Sequence, residues 1–166
     1  NNTMLKFTDL HQNYPEKFES KDRKTNFNEI YKGYVKDKAE EQSSRCSQCG
    51  VPYCTVHCPL HNHIPDWLKL TAEDRLEEAY QLSASTNNLP EITGRICPQD
   101  RPCEGACTLN DGFGAITIGS IEKYITDEAI SQGWKPDISN IKKTRSAIMC
   151  KKRCLTAPHH FSQPRW

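Results

Sequence analysis

Residues 46–59 read Cys-Ser-Gln-Cys-Gly-Val-Pro-Tyr-Cys-Thr-Val-His-Cys-Pro, and residues 97–107 read Cys-Pro-Gln-Asp-Arg-Pro-Cys-Glu-Gly-Ala-Cys. These two stretches hold seven of the nine cysteines in a chain of 166 residues. Their proline and glycine residues are typical of ordered loops. So many thiols on two short loops indicate that the loops are organised around a ligand rather than around apolar side chains.

The spacing of the cysteines favours iron–sulfur clusters. The first loop combines a Cys-x2-Cys step with a Cys-x3-Cys-Pro step, similar to the ferredoxin run in which the fourth cysteine binds the other cluster. A cubane needs four thiolates in a tetrahedral arrangement, and one short loop wraps three corners but tends to carry its fourth cysteine past them. We therefore predict two [4Fe–4S] clusters that exchange ligands between the loops. The predicted ligands are Cys46, Cys49, Cys54 and Cys107 for the first cluster, and Cys58, Cys97 and Cys103 for the second, which is one ligand short.

Other uses of these residues fit the pattern less well. Structural zinc sites take two Cys-x2–4-Cys pairs, and only one Cys-x2-Cys is present. A disulfide framework needs an oxidising compartment, and a thioredoxin-like pair needs a βαβ context, neither of which the sequence indicates. His57, His61 and His63 lie near the first loop, but imidazole is an uncommon cubane ligand. We expect them to be either hydrogen-bond donors beside the ligands or surface residues, and we favour the surface.

Composition excludes several classes of function. The 22 basic and 21 acidic residues leave a net charge of +1, so there is no basic field to attract nucleic acid. No apolar run approaches the roughly 20 residues that a membrane span needs, and the first residues do not resemble a signal peptide. We expect a cytoplasmic protein that binds neither nucleic acid nor membrane. In that reducing compartment, closely spaced thiols more often bind metal than form disulfides.

The apolar pattern predicts a mostly helical fold, with hardly any alternation of period two. The most regular pattern begins at Ile118 and ends at Gly133, a residue typical of the position after a helix. The other predicted helices cover about residues 26–42, 64–70, 73–82 and 90–95. We expect an N-terminal arm over 1–25, a helical domain over 26–144 and a tail over 145–166.

Several motifs together resemble one known family. They are 45–59, 88–91 (Asn-Leu-Pro-Glu), 93–101 (Thr-Gly-Arg-Ile-Cys-Pro-Gln-Asp-Arg), 103–107 and 115–123. In these stretches the chain resembles the N-terminal domain of the small (β) subunit of NADPH-dependent glutamate synthase, and it is similar to the N-terminal domain of dihydropyrimidine dehydrogenase. The match covers about Phe27 to Thr144.

The resemblance implies an α-helical ferredoxin-like domain wrapped around two [4Fe–4S] clusters. Such a domain relays electrons between an FAD, reduced by NADPH, and a flavin in the partner subunit. Its implied partners are the FAD- and NADPH-binding domain of the same parent protein and the glutamate synthase large subunit or a similar protein. The family also has a non-cysteine ligand on the helix after the last cysteine, which points to Glu122 as the missing ligand of the second cluster. Most helical glutamates are solvated surface residues instead; Cys150 and Cys154 rank second as candidates.

The family pattern is lost after Thr144. A small subunit of this kind continues into a Gly-x-Gly-x-x-Gly turn for FAD, whereas residues 145–166 contain no glycine. We therefore expect a non-family tail over 145–166, with the FAD-binding domain absent from this chain. Cys150-x3-Cys154 followed by His159 and His160 resembles a zinc site only loosely.

The sequence thus predicts an electron-transfer domain of a flavin-linked oxidoreductase that performs no catalysis by itself. The alternative from another class is a zinc-bound structural module that docks a partner subunit without carrying electrons.

Overall fold

The structure, a computed structural model, describes residues 3–136 and residue 139. The chain divides into one compact unit over Asn1–Pro136 and a second over Asp137–Trp166. The described part is mostly α, as predicted, and its β pairing is limited to an isolated bridge between Lys17 and Tyr31. After a 3-10 turn (Lys6–Thr8), its helices are α1 (Ser20–Arg23), α2 (Lys36–Ser44), α3 (Tyr53–Val56), α4 (Ile64–Ala72), α5 (Leu76–Thr86), α6 (Pro90–Ile96), α7 (Asn110–Phe113) and α8 (Ile118–Gln132).

The longest helix, α8, forms where the most regular apolar pattern predicts it. Ile118, Ile121, Ile125 and Ala129 are all buried on one face, because residues three and four apart lie on the same side of a helix. Gly133 follows with a left-handed φ of 69° and donates its N–H to Ile130 O, the conformation that glycine adopts at lowest cost. The predictions for α4, α5 and α6 are also confirmed, with ends that differ by a few residues.

The helix predicted over 26–42 is wrong in its first half. Helix α2 begins only at Lys36, and the preceding segment pairs with the N-terminal region, since the Phe18 N–H donates to Ile30 O and the Lys32 N–H to Glu16 O. Phe27 is fully exposed. The apolar spacing was therefore misleading, because these backbone groups bond across the chain, and Asn26 forms local side-chain bonds that compete with a helix.

The core lies between α2, α4, α5 and α8, which pack against one another. Its large, fully buried apolar side chains include Trp67 and Leu68 of α4 and Ile121 and Ile125 of α8. Burying such side chains stabilises the fold by about 1.5–3 kcal/mol each. The core thereby fixes α4 and α8, and the two cysteine loops lie against these helices.

The residues before α2 also pack onto the helices. The Leu5 N–H donates to Cys46 O at 3.3 Å, and Gln42 bonds to both His11 O and the Asn13 N–H. The predicted arm therefore covers the start of the first cysteine loop. The predicted boundary at residue 144 and the predicted tail, including Cys150 and Cys154, lie outside the described residues.

The second cysteine loop is folded back tightly on itself at Gly105. A Cβ added there would lie 2.2 Å from Asp100 O and 2.8 Å from Arg101 O. Both contacts are with backbone atoms, which do not move aside as a flexible side chain would. Only glycine fits this position, so the path of the loop between Cys103 and Cys107 depends on it.

We predict that Gly105→Ala destabilises the domain by about 1–3 kcal/mol, because the methyl group forces the loop backbone apart. The measurement is urea unfolding followed by circular dichroism. Gly50→Ala is the matched control, since it lies in the other cysteine loop and a Cβ there meets nothing within 4 Å. A Gly105→Ala variant as stable as Gly50→Ala would contradict the prediction.

Candidate metal centre

Two cavities lie beside the cysteine loops, and each is lined by cysteines from both. The first is lined by Cys46, Cys49 and Cys54 of the first loop and by Cys107 of the second. Apolar side chains complete its wall: Leu68, Leu109, Ile116 and Ile118. The structure thus brings together the four side chains predicted as ligands of the first cluster.

The second cavity is adjacent to the first, since Ile118 lines both. Cys58 of the first loop and Cys97 and Cys103 of the second line it, together with Glu122 of α8. These are the four side chains predicted for the second cluster. Their grouping is observed, whereas their role as ligands stays a prediction.

The donor chemistry of both cavities fits an iron–sulfur cluster. Four thiols face the first cavity, and three thiols with one carboxylate face the second; thiolate sulfur is the usual protein ligand of a cubane.

Among the described residues, no three Cys, His, Asp or Glu side chains lie close enough together to hold a single metal ion. A zinc ion would need thiolates within about 4 Å of one another, as its bond length of about 2.3 Å requires. The zinc alternative therefore gains no support.

Gln48 holds the backbone of the first loop around the Cys46 sulfur. Its φ of 50° is left-handed, an uncommon conformation for a residue with a side chain. The turn directs the Gln48 N–H at Cys46 Sγ, 3.5 Å away, and the side-chain amide donates to the same sulfur at 3.4 Å and to Pro65 O at 2.8 Å. Such N–H donors stabilise negative charge on sulfur.

Cys49 joins the two loops from the edge of the first cavity. Its sulfur lies 3.0 Å from Ser47 Oγ and 3.3 Å from Thr108 Oγ1, the residue after Cys107. Hydrogen bonds at both sides fix the direction of this half-buried side chain.

Burial keeps the thiols of Cys46 and Cys54 protonated when no cation is bound. It raises the pKa of Cys46 to about 11 and that of Cys54 to about 12, because a thiolate loses its hydration in an apolar wall. Burial is also the main cause of the raised pKa of Cys103. An iron core bound there would supply the positive charge that deprotonates such thiols, so its binding would release protons.

Glu122 is buried, at 7% exposure, and not a solvated surface residue. Its Oε1 accepts hydrogen bonds from Asn87 Nδ2 at 2.9 Å and from Thr93 Oγ1 at 3.2 Å. Glu122 lines the second cavity, as do Asn87 and Thr93. Asn87 and Thr93 thus fix its direction.

Sequence reasoning missed Asn87 and Gln48 as parts of the site. Nothing in the sequence indicates that Asn87 bonds to Glu122 of α8, 35 positions away. The three histidines, His57, His61 and His63, are exposed, as expected. Cys150 and Cys154 lie outside the described residues.

Comparison with known protein families gives a match over residues 23–134, to the family described as dihydropyrimidine dehydrogenase domain II, 4Fe-4S cluster. The matched region contains both cysteine loops and Glu122. It covers more than half of the chain.

Several curated proteins are similar to this chain. The glutamate synthase [NADPH] small chains of Azospirillum brasilense and Escherichia coli K12 are 58% and 53% identical over 81% and 87% of this chain, which cover 28% and 31% of those proteins. The putative oxidoreductase AegA of Escherichia coli K12 is 52% identical over 81% of this chain, or 20% of its own length. The chain thus spans less than a third of the length of these relatives.

We predict that Asn87→Ala lowers the free energy of unfolding by about 1.5–3 kcal/mol, because it removes a hydrogen bond to a buried carboxylate. Urea unfolding measures this on variants with equal iron content. Asn88→Ala is the matched control, since Asn88 is the exposed neighbour and its loss should change stability by less than about 0.5 kcal/mol. Equal stability of the two variants would show that the Asn87–Glu122 bond contributes nothing.

Proposed function

Because the chain belongs to the family of dihydropyrimidine dehydrogenase domain II, a 4Fe-4S cluster domain, we propose that it is an electron-transfer domain with two [4Fe–4S] clusters. Cys46, Cys49, Cys54 and Cys107 would bind the first cluster. Cys58, Cys97, Cys103 and Glu122 would bind the second. When bound, each cluster supplies a site that accepts and releases one electron at a time.

One observation carries the proposal: seven cysteines from two loops are divided crosswise between two cavities, with four donors at each. A single loop cannot supply either set. Since the two cavities share Ile118 in their walls, electrons have only a short distance to cross between them. This arrangement suits a relay better than a structural metal site.

The chain's own residues tune and protect the clusters. Gln48 donates to the Cys46 sulfur from backbone and side chain, which stabilises the charge of a thiolate ligand. Leu68 and Ile116 exclude water from the first cavity because they are buried in its wall. Asn87 holds the Glu122 carboxylate toward the second cavity.

The second cavity is the more accessible of the two. Cys97 is exposed, whereas Cys46 is buried. Leu60, which lines the second cavity, and Ile96, which precedes Cys97, are exposed apolar side chains, and apolar surface of this kind marks interaction sites. We infer that electrons are exchanged with a partner flavin through this side.

We propose that the domain relays electrons between FAD and a flavin of a partner protein. In this proposal, FAD and NADPH bind to another domain of the same parent protein, and the partner is a glutamate synthase large subunit or a similar protein. Relatives that are named glutamate synthase small chains favour this assignment.

No helix among the described residues is long and apolar enough to cross a membrane. We place the protein in the cytoplasm, where thiols stay reduced.

We predict that the chain, reconstituted without oxygen, binds about eight irons and eight sulfides, as two cubanes require. Iron and sulfide analysis, together with broad visible absorbance, measures this. The control is the same chain incubated with zinc alone, which should remain colourless. A reproducible value near four irons would leave only one cluster and contradict the proposal.

We predict that cysteine variants fall into two groups by cavity rather than by loop. Cys58→Ala should perturb the same cluster as Cys97→Ala and Cys103→Ala, and Cys107→Ala should behave like Cys46→Ala. Losing one thiolate opens one corner of a cubane, while the other cluster keeps its full ligand set. Electron paramagnetic resonance of the reduced variants measures which cluster signal changes.

His61→Ala is the control for this series, because His61 is exposed just after the first loop. The spectrum of this variant should match that of the unaltered chain. If Cys58→Ala instead groups with Cys46→Ala, each loop holds its own cluster. The assignments of Cys107 and Glu122 as ligands would then be wrong.

A further inference from the structure

Arg45 is a fully buried cation beside the first cavity. None of its side chain is exposed, and its guanidinium is held by backbone carbonyls from two separate segments. Nε donates to Leu10 O at 2.9 Å, Nη1 to Ala115 O at 3.0 Å, and Nη2 to Phe113 O and Gly114 O at 2.8 Å each. The geometry fixes the charge in one place.

Arg45 forms no ion pair with a carboxylate in the described part of the chain. By contrast, Arg75 and Arg95 each form ion pairs with acidic side chains. The buried Glu104 is engaged elsewhere, since it accepts from the Tyr14 hydroxyl and the Gly119 N–H. Carbonyl dipoles partly solvate a guanidinium but do not neutralise it, and an uncompensated buried charge is strongly destabilising.

Two chain segments connect Arg45 to the first cavity. Arg45 directly precedes Cys46, and the segment that it holds at 113–115 leads into Ile116, which lines the cavity. Arg45 is therefore joined to two parts of the cavity wall, to Cys46 through the chain and to the residue before Ile116 through its bond to Ala115 O.

We propose that Arg45 is the internal counter-charge of the first cluster and sets its reduction potential apart from that of the second. This inference rests on the proposed function. A cubane with four thiolates is an anion, and reduction adds one more negative charge. A fixed cation stabilises the reduced form more than the oxidised form, since the Coulomb energy grows with the charge. Arg45 thus acts through its charge, which favours an electron at the first cluster.

The test compares Arg45→Gln, which removes the charge, with Arg45→Lys, which keeps it but loses the planar fork. The reconstituted chain is titrated with reductant, and both clusters are followed by electron paramagnetic resonance. Arg45→Gln should lower the equilibrium constant for reduction of the first cluster by about tenfold or more, which corresponds to about 59 mV for a one-electron couple. Arg45→Lys should change it by less than about threefold, and the second cluster should change little in either variant.

Arg75→Gln is the matched control, because it also removes one arginine charge but from an exposed ion pair; it should leave both potentials unchanged. Equal shifts of both clusters, no shift in Arg45→Gln, or the same shift in Arg45→Lys as in Arg45→Gln would overturn the inference.

Iron content keeps the test decisive if Arg45→Gln does not retain its clusters. Loss of about four irons in Arg45→Gln, with about eight retained in Arg45→Lys, supports the counter-charge role. Loss of iron to the same extent in both variants shows that the carbonyl bonds alone matter and overturns it. If the unaltered chain itself lacks two reducible clusters, the proposed function fails instead.

Discussion

The structure depends on holding the two cysteine loops in fixed positions against helix α8. Neither loop surrounds a cavity alone, because Cys58 of the first loop lies with the second loop's thiols and Cys107 of the second lies with the first loop's. The start of α8 stands between them, with Ile118 in both walls. A shift of either loop would therefore disturb both cavities, which explains why backbone contacts as tight as that at Gly105 occur here.

Three charged side chains are buried around the loops, and each is stabilised in a different way. Arg45 is surrounded by carbonyl oxygens. Glu104 accepts from the Gly119 N–H at the start of α8, where the helix dipole favours an anion. Glu122 accepts from Asn87 and Thr93. Buried charges are costly unless satisfied, so their presence beside thiol-lined cavities points to a role in the electrostatics of the site.

Local patterns were reliable where the contacts that fix an element are themselves local. The spacing from Ile118 to Gly133 predicted α8 because its apolar face and its terminal glycine lie within one continuous segment of the sequence. The same reasoning failed at residues 26–35, where the backbone bonds to residues more than ten positions earlier. Apolar periodicity alone does not distinguish a helix from a segment held by such pairing.

The sequence by itself determined which residues are candidate ligands, because cysteine spacing limits which thiols one short loop can present together. It also indicated that the ligands cross between loops. Only the tertiary structure decided what surrounds them: that the Gln48 side chain reaches Pro65 O, that Asn87 reaches Glu122, and that Arg45 is buried among backbone carbonyls. These contacts join residues that are far apart in the sequence and meet only in the folded chain. Their free energy comes from burial and hydrogen bonding between distant segments, which no local pattern records.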